Sequence, residues 1–320
     1  YIIASVVIVA VVLIAAVAVL FNPNPSEPIE EEPETKKIVD MAGRTVTIPT
    51  EINSIVALGS GCLRVLTYMD ASDLICAVEE TEGDPSGRPY AIAHPEYASL
   101  PLIGPGHGGD PELIAAQNPD IIFRSDAKNP DYDALQQQTG IPVVSIVYGG
   151  LDTEDEIQTF YDGLTLIGQI LNKENRATEV INYVNGLMDD LDSRTSNIAN
   201  SEKLSVYIGG LSSSGSHGIT STNAYYAPFT LTNSLNVVTD EMAGGSTNVV
   251  SIDAEVIPDL NPDIIFIDYN GLTLCQEDVA NYADVYGELD AIQNNNVYGV
   301  MGYNWYHLNY EVVLTDAYYV

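Results

Sequence analysis

Short apolar runs alternate along the chain with stretches of helical periodicity. The runs that fit buried strands are residues 52–58, 73–78, 120–123 and 141–147 in the first half, and 203–208, 235–238, 263–268 and 296–301 in the second. Strands separated by helices predict an α/β fold with mainly parallel sheets and helices packed on them. Ahead of these runs, the alternation of residues 38–49 around Gly43 predicts a small hairpin.

The phrase Asn-Pro-Asp-Ile-Ile-Phe occurs at residues 118–123 and again at 261–266. It closes a longer match without gaps, DPELIAAQNPDIIF at 110–123 against DAEVIPDLNPDIIF at 253–266. A turn between a helix and a strand could explain one copy, but it hardly explains the matching carboxylates upstream. The repeat therefore predicts two similar lobes, each a mainly parallel sheet flanked by helices.

Residues 153–201 separate the lobes predicted at 38–152 and 202–320. Their apolar positions follow helical spacing at Ala177, Val180, Ile181, Val184, Leu187, Met188 and Leu191. This pattern predicts one long amphipathic helix of roughly six turns that joins the lobes. We expect such a connector to resist large hinge motion.

The first 21 residues carry no charge and consist mainly of Val, Ile, Ala and Leu. A helix of that length rises about 32 Å, enough to span a membrane, so we predict an anchor or uncleaved signal at 1–21. Residues 22–37 follow with four prolines and five glutamates, which predicts an acidic, extended tether. An anchor followed by a tether places the lobes at the cell membrane, on the extracytoplasmic side.

The formal net charge of −34 excludes nucleic acid as a partner, because nucleic-acid-binding proteins need basic surface. It is typical of a solvated acidic surface in extracellular or salt-adapted proteins. The last lysine or arginine is Lys203. The three cysteines, Cys62, Cys76 and Cys275, fit no zinc or redox spacing, and we interpret them as mainly buried free thiols.

Sequence signatures of catalysis are missing from the chain. It has no GxSxG elbow, P-loop or dinucleotide fingerprint, and no cysteine set that could hold a cluster. The pattern favours a binding protein over an enzyme, so we predict neither catalytic residues nor a resident cofactor.

Several phrases resemble the helical-backbone periplasmic binding proteins of iron-siderophore, haem and cobalamin ABC importers. They are DMAGRTVTIP followed by INSIVALGSG, the repeated Asn-Pro-Asp turn, and GGLSSSGSHGITSTNAYYAPF. The resemblance covers residues 38–320. It implies capture of a metal chelate between two lobes and docking on a permease dimer with its ATPase. Members of that family continue past the helix expected near Tyr306, so we expect the second lobe to be truncated.

The same resemblance gives a role to Glu112 and Glu255, which occupy equivalent positions in the repeat. In that family one exposed glutamate per lobe docks on arginines of the permease. The alternative is local: Asp110 and Asp253 cap two helices, and a carboxylate in a first turn gains about 0.3–1 kcal/mol from the helix dipole.

Ligands of open α/β sheets bind at the carboxyl ends of the strands. The candidate ligand-binding residues there are Ser60, Gly61, Arg88, Arg124, Tyr148, His217, Tyr225, Tyr269, Trp305 and Tyr306. The aromatic residues suit a large planar or chelated ligand. Arg124 directly follows a predicted strand, and with Arg88 and Lys128 it could hold an anion.

A second ligand chemistry stays open, namely a bare metal ion or an oxyanion such as molybdate. Arg124 would hold the oxyanion. The four histidines, His94, His107, His217 and His307, divide evenly between the lobes but show no close spacing. We therefore assign no metal site, and the sequence leaves the ligand unnamed.

Overall fold

Two four-stranded parallel sheets organise the part of the chain that the computed structural model describes, residues 34–125 and 131–320. The predicted anchor at 1–21, most of the tether and Lys128 lie outside these residues. None of the helices within them is both long and apolar enough to cross a membrane.

The hairpin is present, with β1 (Thr35–Val39) antiparallel to β2 (Thr45–Pro49). The hairpin begins at Thr35, three residues before its predicted start at residue 38, so the last residues of the predicted tether belong to a strand. The reason is that Lys36 pairs with Ile48 in the hairpin. Lys36 Nζ also donates to the carbonyl of Gln169 at 3.0 Å.

The first lobe contains a sheet in the order β4-β3-β5-β6 with all neighbours parallel. Its strands are β3 (Ile55–Leu58), β4 (Ile75–Ala77), β5 (Ile121–Arg124) and β6 (Val143–Ser145). Its helices are α1 (Cys62–Tyr68), α2 (Pro89–Ala93), α3 (Pro111–Gln117) and α4 (Tyr132–Thr139).

The second lobe contains a parallel sheet in the order β12-β11-β7-β9. Its strands are β7 (Ser205–Gly209), β9 (Leu235–Asn236), β11 (Ile264–Asp268) and β12 (Val297–Val300), beside an antiparallel pair, β8 (Ser221–Thr222) and β10 (Val250–Ser251). Its helices are α7 (Ala227–Leu231), α8 (Val256–Leu260), α9 (Leu272–Asn281), α10 (Ala283–Tyr286), α11 (Asp290–Gln293) and α12 (Tyr310–Tyr319). In each sheet, the strand that comes first in the sequence lies between the strands that come second and third.

The repeated phrase performs the same structural task in both lobes. Its asparagine ends a helix in the left-handed conformation, with φ of 49° at Asn118 and 34° at Asn261. Its aspartate accepts a hydrogen bond from the N–H of a serine that precedes or begins the central strand: Asp120 from Ser54 at 2.9 Å, and Asp263 from Ser205 at 2.7 Å. Each serine Oγ accepts the aspartate N–H in return, at 3.0 Å.

The connector is a pair of helices, which corrects the prediction of one long helix. Helix α5 (Glu154–Leu171) ends at Asn172, which is left-handed with φ of 56°, and α6 (Glu174–Thr195) follows. Helix α6 is the predicted helix, and α5 precedes it. The Tyr161 hydroxyl donates to Asn185 Oδ1 at 2.8 Å, which ties the two helices side by side.

Helix α6 reaches from one lobe to the other. Near its start, Arg176 Nε donates to the carbonyl of Tyr68 in the first lobe at 2.8 Å. Near its end, Asp192 Oδ1 accepts from Asn233 Nδ2 in the second lobe at 3.0 Å. Cys62 and Cys275 are buried and Cys76 is half-buried, in line with the prediction of mainly buried thiols.

Candidate functional site

A polar chamber of about 280 Å³ lies between the lobes. The first lobe and the start of α5 contribute Tyr148, Gly150, Asp152 and Glu156; the second lobe contributes Asn223, Tyr225, Ala227, Thr247, Asn248, Val249, Tyr303, Asn304, His307 and Leu308. We call this space the cleft chamber. Since both lobes supply its walls, any change in their separation changes its size.

Two of the predicted residues, Tyr148 and Tyr225, lie in the cleft chamber. Tyr148 follows β6 by a few residues, and the Tyr225 hydroxyl donates to Asp240 Oδ1 at 2.9 Å. The prediction omitted Asp152, for which the Gly149-Gly150 turn after the strand was the available signal.

Residues 304–308 form a tight hairpin that projects from the second lobe, and we call it the inter-lobe hairpin. Its ends, Asn304 and Leu308, form an antiparallel bridge. Tyr306 and His307 at its tip are both left-handed, with φ of 50° and 74°. The predicted helix near Tyr306 therefore begins only at Tyr310, because these two conformations are incompatible with a right-handed helix.

Arg64, which is not among the predicted residues, fastens this hairpin to the first lobe. Its side chain is fully buried on α1. Its Nη1 donates to Leu308 O at 2.6 Å and to Tyr148 Oη at 2.7 Å, and its Nη2 donates to Trp305 O at 3.1 Å. A charged donor shared by two carbonyls of the hairpin and the Tyr148 hydroxyl positions the hairpin and the cleft tyrosine together.

Glu79 is the second missed residue, and only 1% of it is exposed. Its Oε2 accepts from the Tyr306 hydroxyl at 2.6 Å and from Gly59 N at 3.1 Å, and its Oε1 accepts from Gly108 N at 2.7 Å. Burial raises the pKa of Glu79 to about 7, while these hydrogen bonds act in the opposite direction.

Ser60, Gly61 and Arg124 come to one edge of the first sheet, as predicted. Ser60 Oγ lies 3.2 Å from His107 Nδ1. Gly61 has a φ of +79°, and a Cβ there would lie 2.3 Å from the Tyr148 ring, so only glycine fits. Arg124 ends β5, and its Nη2 lies 3.2 Å from where a Cβ on Gly108 would stand.

Trp305 and Tyr269 lie outside the cleft chamber. Tyr269 is 70% exposed and lines an apolar cavity of about 510 Å³ with Ile92 and Met301. Trp305 is half exposed, and its ring lies against Gly87, 3.5 Å from where a Cβ would be. The predicted aromatic set is therefore divided between two surfaces.

Arg88 and His217 require corrections. Arg88 is fully buried, and its guanidinium donates to Glu82 Oε2 at 3.0 Å and to Thr81 O at 2.6 Å, so it is an internal ion pair and not a cleft residue. His217 is exposed and bonds within its own loop to Ser213 O at 2.7 Å.

The histidines do not assemble into a metal centre in the described part of the chain. There, no group of three or more His, Cys, Asp or Glu side chains could hold an ion. His307 lines the cleft chamber, and burial together with the charge of Arg64 lowers its pKa to about 4.

Glu112 and Glu255 are both exposed. Asp110 Oδ1 accepts from the Glu112 N–H at 2.8 Å, and Asp253 Oδ1 accepts from the Glu255 N–H at 3.1 Å. Glu112 lies in the first turn of α3, which Asp110 caps, whereas Glu255 is itself the residue that immediately precedes α8. The predictions that Asp253 caps this helix and that Glu255 lies inside it are therefore wrong, because the helix begins only at Val256.

Comparison with known proteins agrees with this architecture. The family model for periplasmic binding proteins matches residues 55–302. A curated relative, the molybdate-binding protein MolA of Haemophilus influenzae, is 27% identical over 158 residues, which are 45% of this chain and 45% of the relative. The match therefore spans less than half of that relative.

Solved structures extend the likeness over most of the chain. Molybdate-bound MolA of Haemophilus influenzae gives a TM-score of 0.69 at 18% identity, covering 89% of each chain. A periplasmic solute-binding protein from Veillonella parvula gives 0.67 at 20%, covering 88% of this chain and 84% of that one. The haem-binding protein HutB of Vibrio cholerae gives 0.59 at 20%, covering 83% and 96%. At these identities the likeness establishes a shared fold.

Proposed function

Because the chain belongs to the periplasmic binding protein family, we propose that it is the extracytoplasmic solute-binding protein of an ABC importer. It captures a solute between its lobes and delivers it to a permease dimer driven by its ATPase. The observation that carries this proposal is the cleft chamber, to which both lobes contribute polar side chains. Such a role breaks no bond, so it needs no catalytic residue.

The lining of the cleft chamber favours a metal chelate of the iron-siderophore, haem or corrinoid type. Tyr148, Tyr225 and Tyr303 offer aromatic surface for a planar or chelated group. Asp152 and Glu156 are acidic, and no lysine or arginine is among the described lining residues. This charge favours the neutral or cationic chelates of this set over haem, whose two propionates are anionic. The chamber is near the lower end of ligand-pocket volumes, so a haem-sized ligand requires the lobes to separate.

A second candidate ligand is an oxyanion such as molybdate. It is favoured by Ser60, Gly61 and Arg124 at one sheet edge, where a guanidinium and loop polar groups can hold an anion. The similarity to molybdate-binding MolA supports the same candidate. A bare metal ion has less support, since the described residues contain no such ligand cluster.

Calorimetric and thermal-shift titrations with ferric siderophores, haemin, cobalamin, molybdate and Ni²⁺ test these alternatives. We expect a chelate to raise the melting temperature by several degrees, because binding only the folded state stabilises it. Tyr225→Ala should weaken chelate binding, whereas the exposed Tyr282→Ala should not. Molybdate binding that Arg124→Gln abolishes would favour the oxyanion, and no response to any of these ligands would contradict solute capture.

Glu112 and Glu255 are the proposed contacts with the permease. They are exposed at matching places in the repeat, and each donates its N–H to the aspartate two residues earlier. A pair related in this way suits a permease dimer with two-fold symmetry. Residues 1–21 would hold the lobes near that permease, a proposal that rests on their apolar sequence alone.

A further inference from the structure

A second cavity, of about 400 Å³, lies where the connector meets the last helix. Its lining comes from four helices: Tyr68 of α1, Phe160 of α5, Arg176, Glu179, Val180, Tyr183 and Val184 of α6, and Tyr310, Glu311 and Leu314 of α12. We call it the hinge cavity, because α1 belongs to the first lobe, α12 to the second, and α6 joins them.

The hinge cavity contains an incompletely paired carboxylate. Glu311 Oε2 accepts a hydrogen bond from the Tyr68 hydroxyl, but Glu311 Oε1 is buried with no partner in the described structure. A buried carboxylate oxygen without a donor is costly, and a cation would satisfy it.

The neighbouring arginines are already engaged. Arg176 Nε lies 3.2 Å from Asp70 Oδ2, and Arg176 Nη1 lies 2.9 Å from Glu179 Oε2. Arg64 directs both of its Nη atoms to Tyr148 and the inter-lobe hairpin, and its Nε is buried without a partner. The charged side chains that line the cavity are two glutamates and one arginine, so its walls are acidic.

Aromatic rings line the same cavity as this carboxylate. Phe160 and Tyr310 stack with their centroids 3.9 Å apart, and Tyr68 meets Tyr310 edge-on at 6.2 Å. Tyr183, which is 67% exposed, stands at the wall on α6. Aromatic rings next to a carboxylate recognise an ammonium group, since ring and carboxylate both attract a positive charge.

We propose that the hinge cavity is a binding site for a small organic ammonium ion, distinct from the cleft chamber. The ammonium group pairs with Glu311, and the apolar part lies against Phe160, Val180 and Leu314. The site communicates with the cleft through Tyr310, which stacks on Phe160 on one side and lies 5.1 Å from the cleft residue Tyr148 on the other. An occupant would therefore bias the relative position of the lobes.

Benzylammonium is a suitable probe, and benzyl alcohol is its neutral counterpart of similar shape. Calorimetry on the full chain should show saturable benzylammonium binding at least about tenfold tighter than that of benzyl alcohol. Glu311→Gln should weaken it by about tenfold or more, and Val180→Trp, which fills the cavity, should abolish it. Glu277→Gln removes the same charge from the exposed face of α9 and should leave binding unchanged.

Circular dichroism and melting without ligand establish whether each variant is folded. If Glu311→Gln does not fold, binding to Val180→Trp tests the proposal. Three results would overturn the proposal: no saturable benzylammonium binding, equal affinity for benzyl alcohol, or binding that survives in both cavity variants.

Discussion

The hydroxyl of Tyr306 donates a 2.6 Å hydrogen bond to Glu79 Oε2 and accepts one from His107 N at 2.9 Å. Tyr306 lies at the tip of the inter-lobe hairpin, and Glu79 is buried just after β4 in the first lobe. This contact joins the lobes beside the proposed binding edge. The Tyr306 hydroxyl is also one of the three hydrogen-bond donors that replace water at the buried Glu79 carboxylate.

Tyr306→Phe removes this contact while it preserves the ring. We expect a loss of about 1–3 kcal/mol in the free energy of unfolding, because a buried carboxylate loses a donor. Urea denaturation measures the change. Tyr282→Phe, at an exposed tyrosine, is the matched control and should stay within about 0.5 kcal/mol of wild type. Equal stability of the two variants would show that the contact contributes nothing.

Glu79 should make stability depend on pH. Its folded pKa of about 7 lies above its ordinary value of 4.5, so it stabilises the fold at low pH, and this contribution is lost as pH rises through about 7. The stability of wild type relative to Glu79→Gln should therefore be greater at about pH 5 than at about pH 8, by on the order of 1–3 kcal/mol. Denaturant titrations at both pH values measure it, and a difference of the opposite sign would contradict the assignment.

Other buried groups influence the same pH range. Burial raises the pKa values of Asp268 and Asp316 to about 7, so wild type and Glu79→Gln should both still lose stability as pH rises. His307, with its pKa lowered to about 4, acts in the opposite direction between about pH 4 and 6.5. Comparing the two proteins at each pH cancels these shared contributions.

Arg64→Lys keeps the positive charge but removes the planar guanidinium that donates to Tyr148, Leu308 and Trp305 together. We expect destabilisation by about 2–4 kcal/mol, because several charge-assisted hydrogen bonds cannot re-form. Arg194→Lys is the control, since its side chain is 65% exposed in a surface pair. Denaturation curves that coincide for both variants would show that Arg64 does not fasten the hairpin.

Replacing both Glu112 and Glu255 by Gln should reduce ligand uptake by about tenfold or more, because two charged contacts with the permease are lost. Ligand affinity of the isolated protein should not change, since both side chains lie on the outer surface. Transport assays with the cognate permease measure the effect. The double variant Glu154→Gln and Glu277→Gln removes the same charge from other exposed positions. Unchanged uptake in the first pair would exclude the docking role.

Local pattern in the sequence was sufficient for most secondary structure. Apolar runs indicate burial, and the repeated phrase contains the left-handed asparagine that ends a helix in each lobe, so the main elements of both lobes were predictable from residues close in sequence. The break in the connector at Asn172 was not predicted, because the apolar positions that define the predicted helix begin only at Ala177, beyond the break.

The sequence by itself determined the α/β class, the duplication and the family resemblance, since each depends on short-range pattern. Only the tertiary structure decided which polar groups meet. Glu79 and Tyr306 are 227 positions apart, and Arg64 and Leu308 are 244 apart. Arg88 looked like a cleft cation but is buried against Glu82, because burial of a charge depends on which partner the folded chain brings to it.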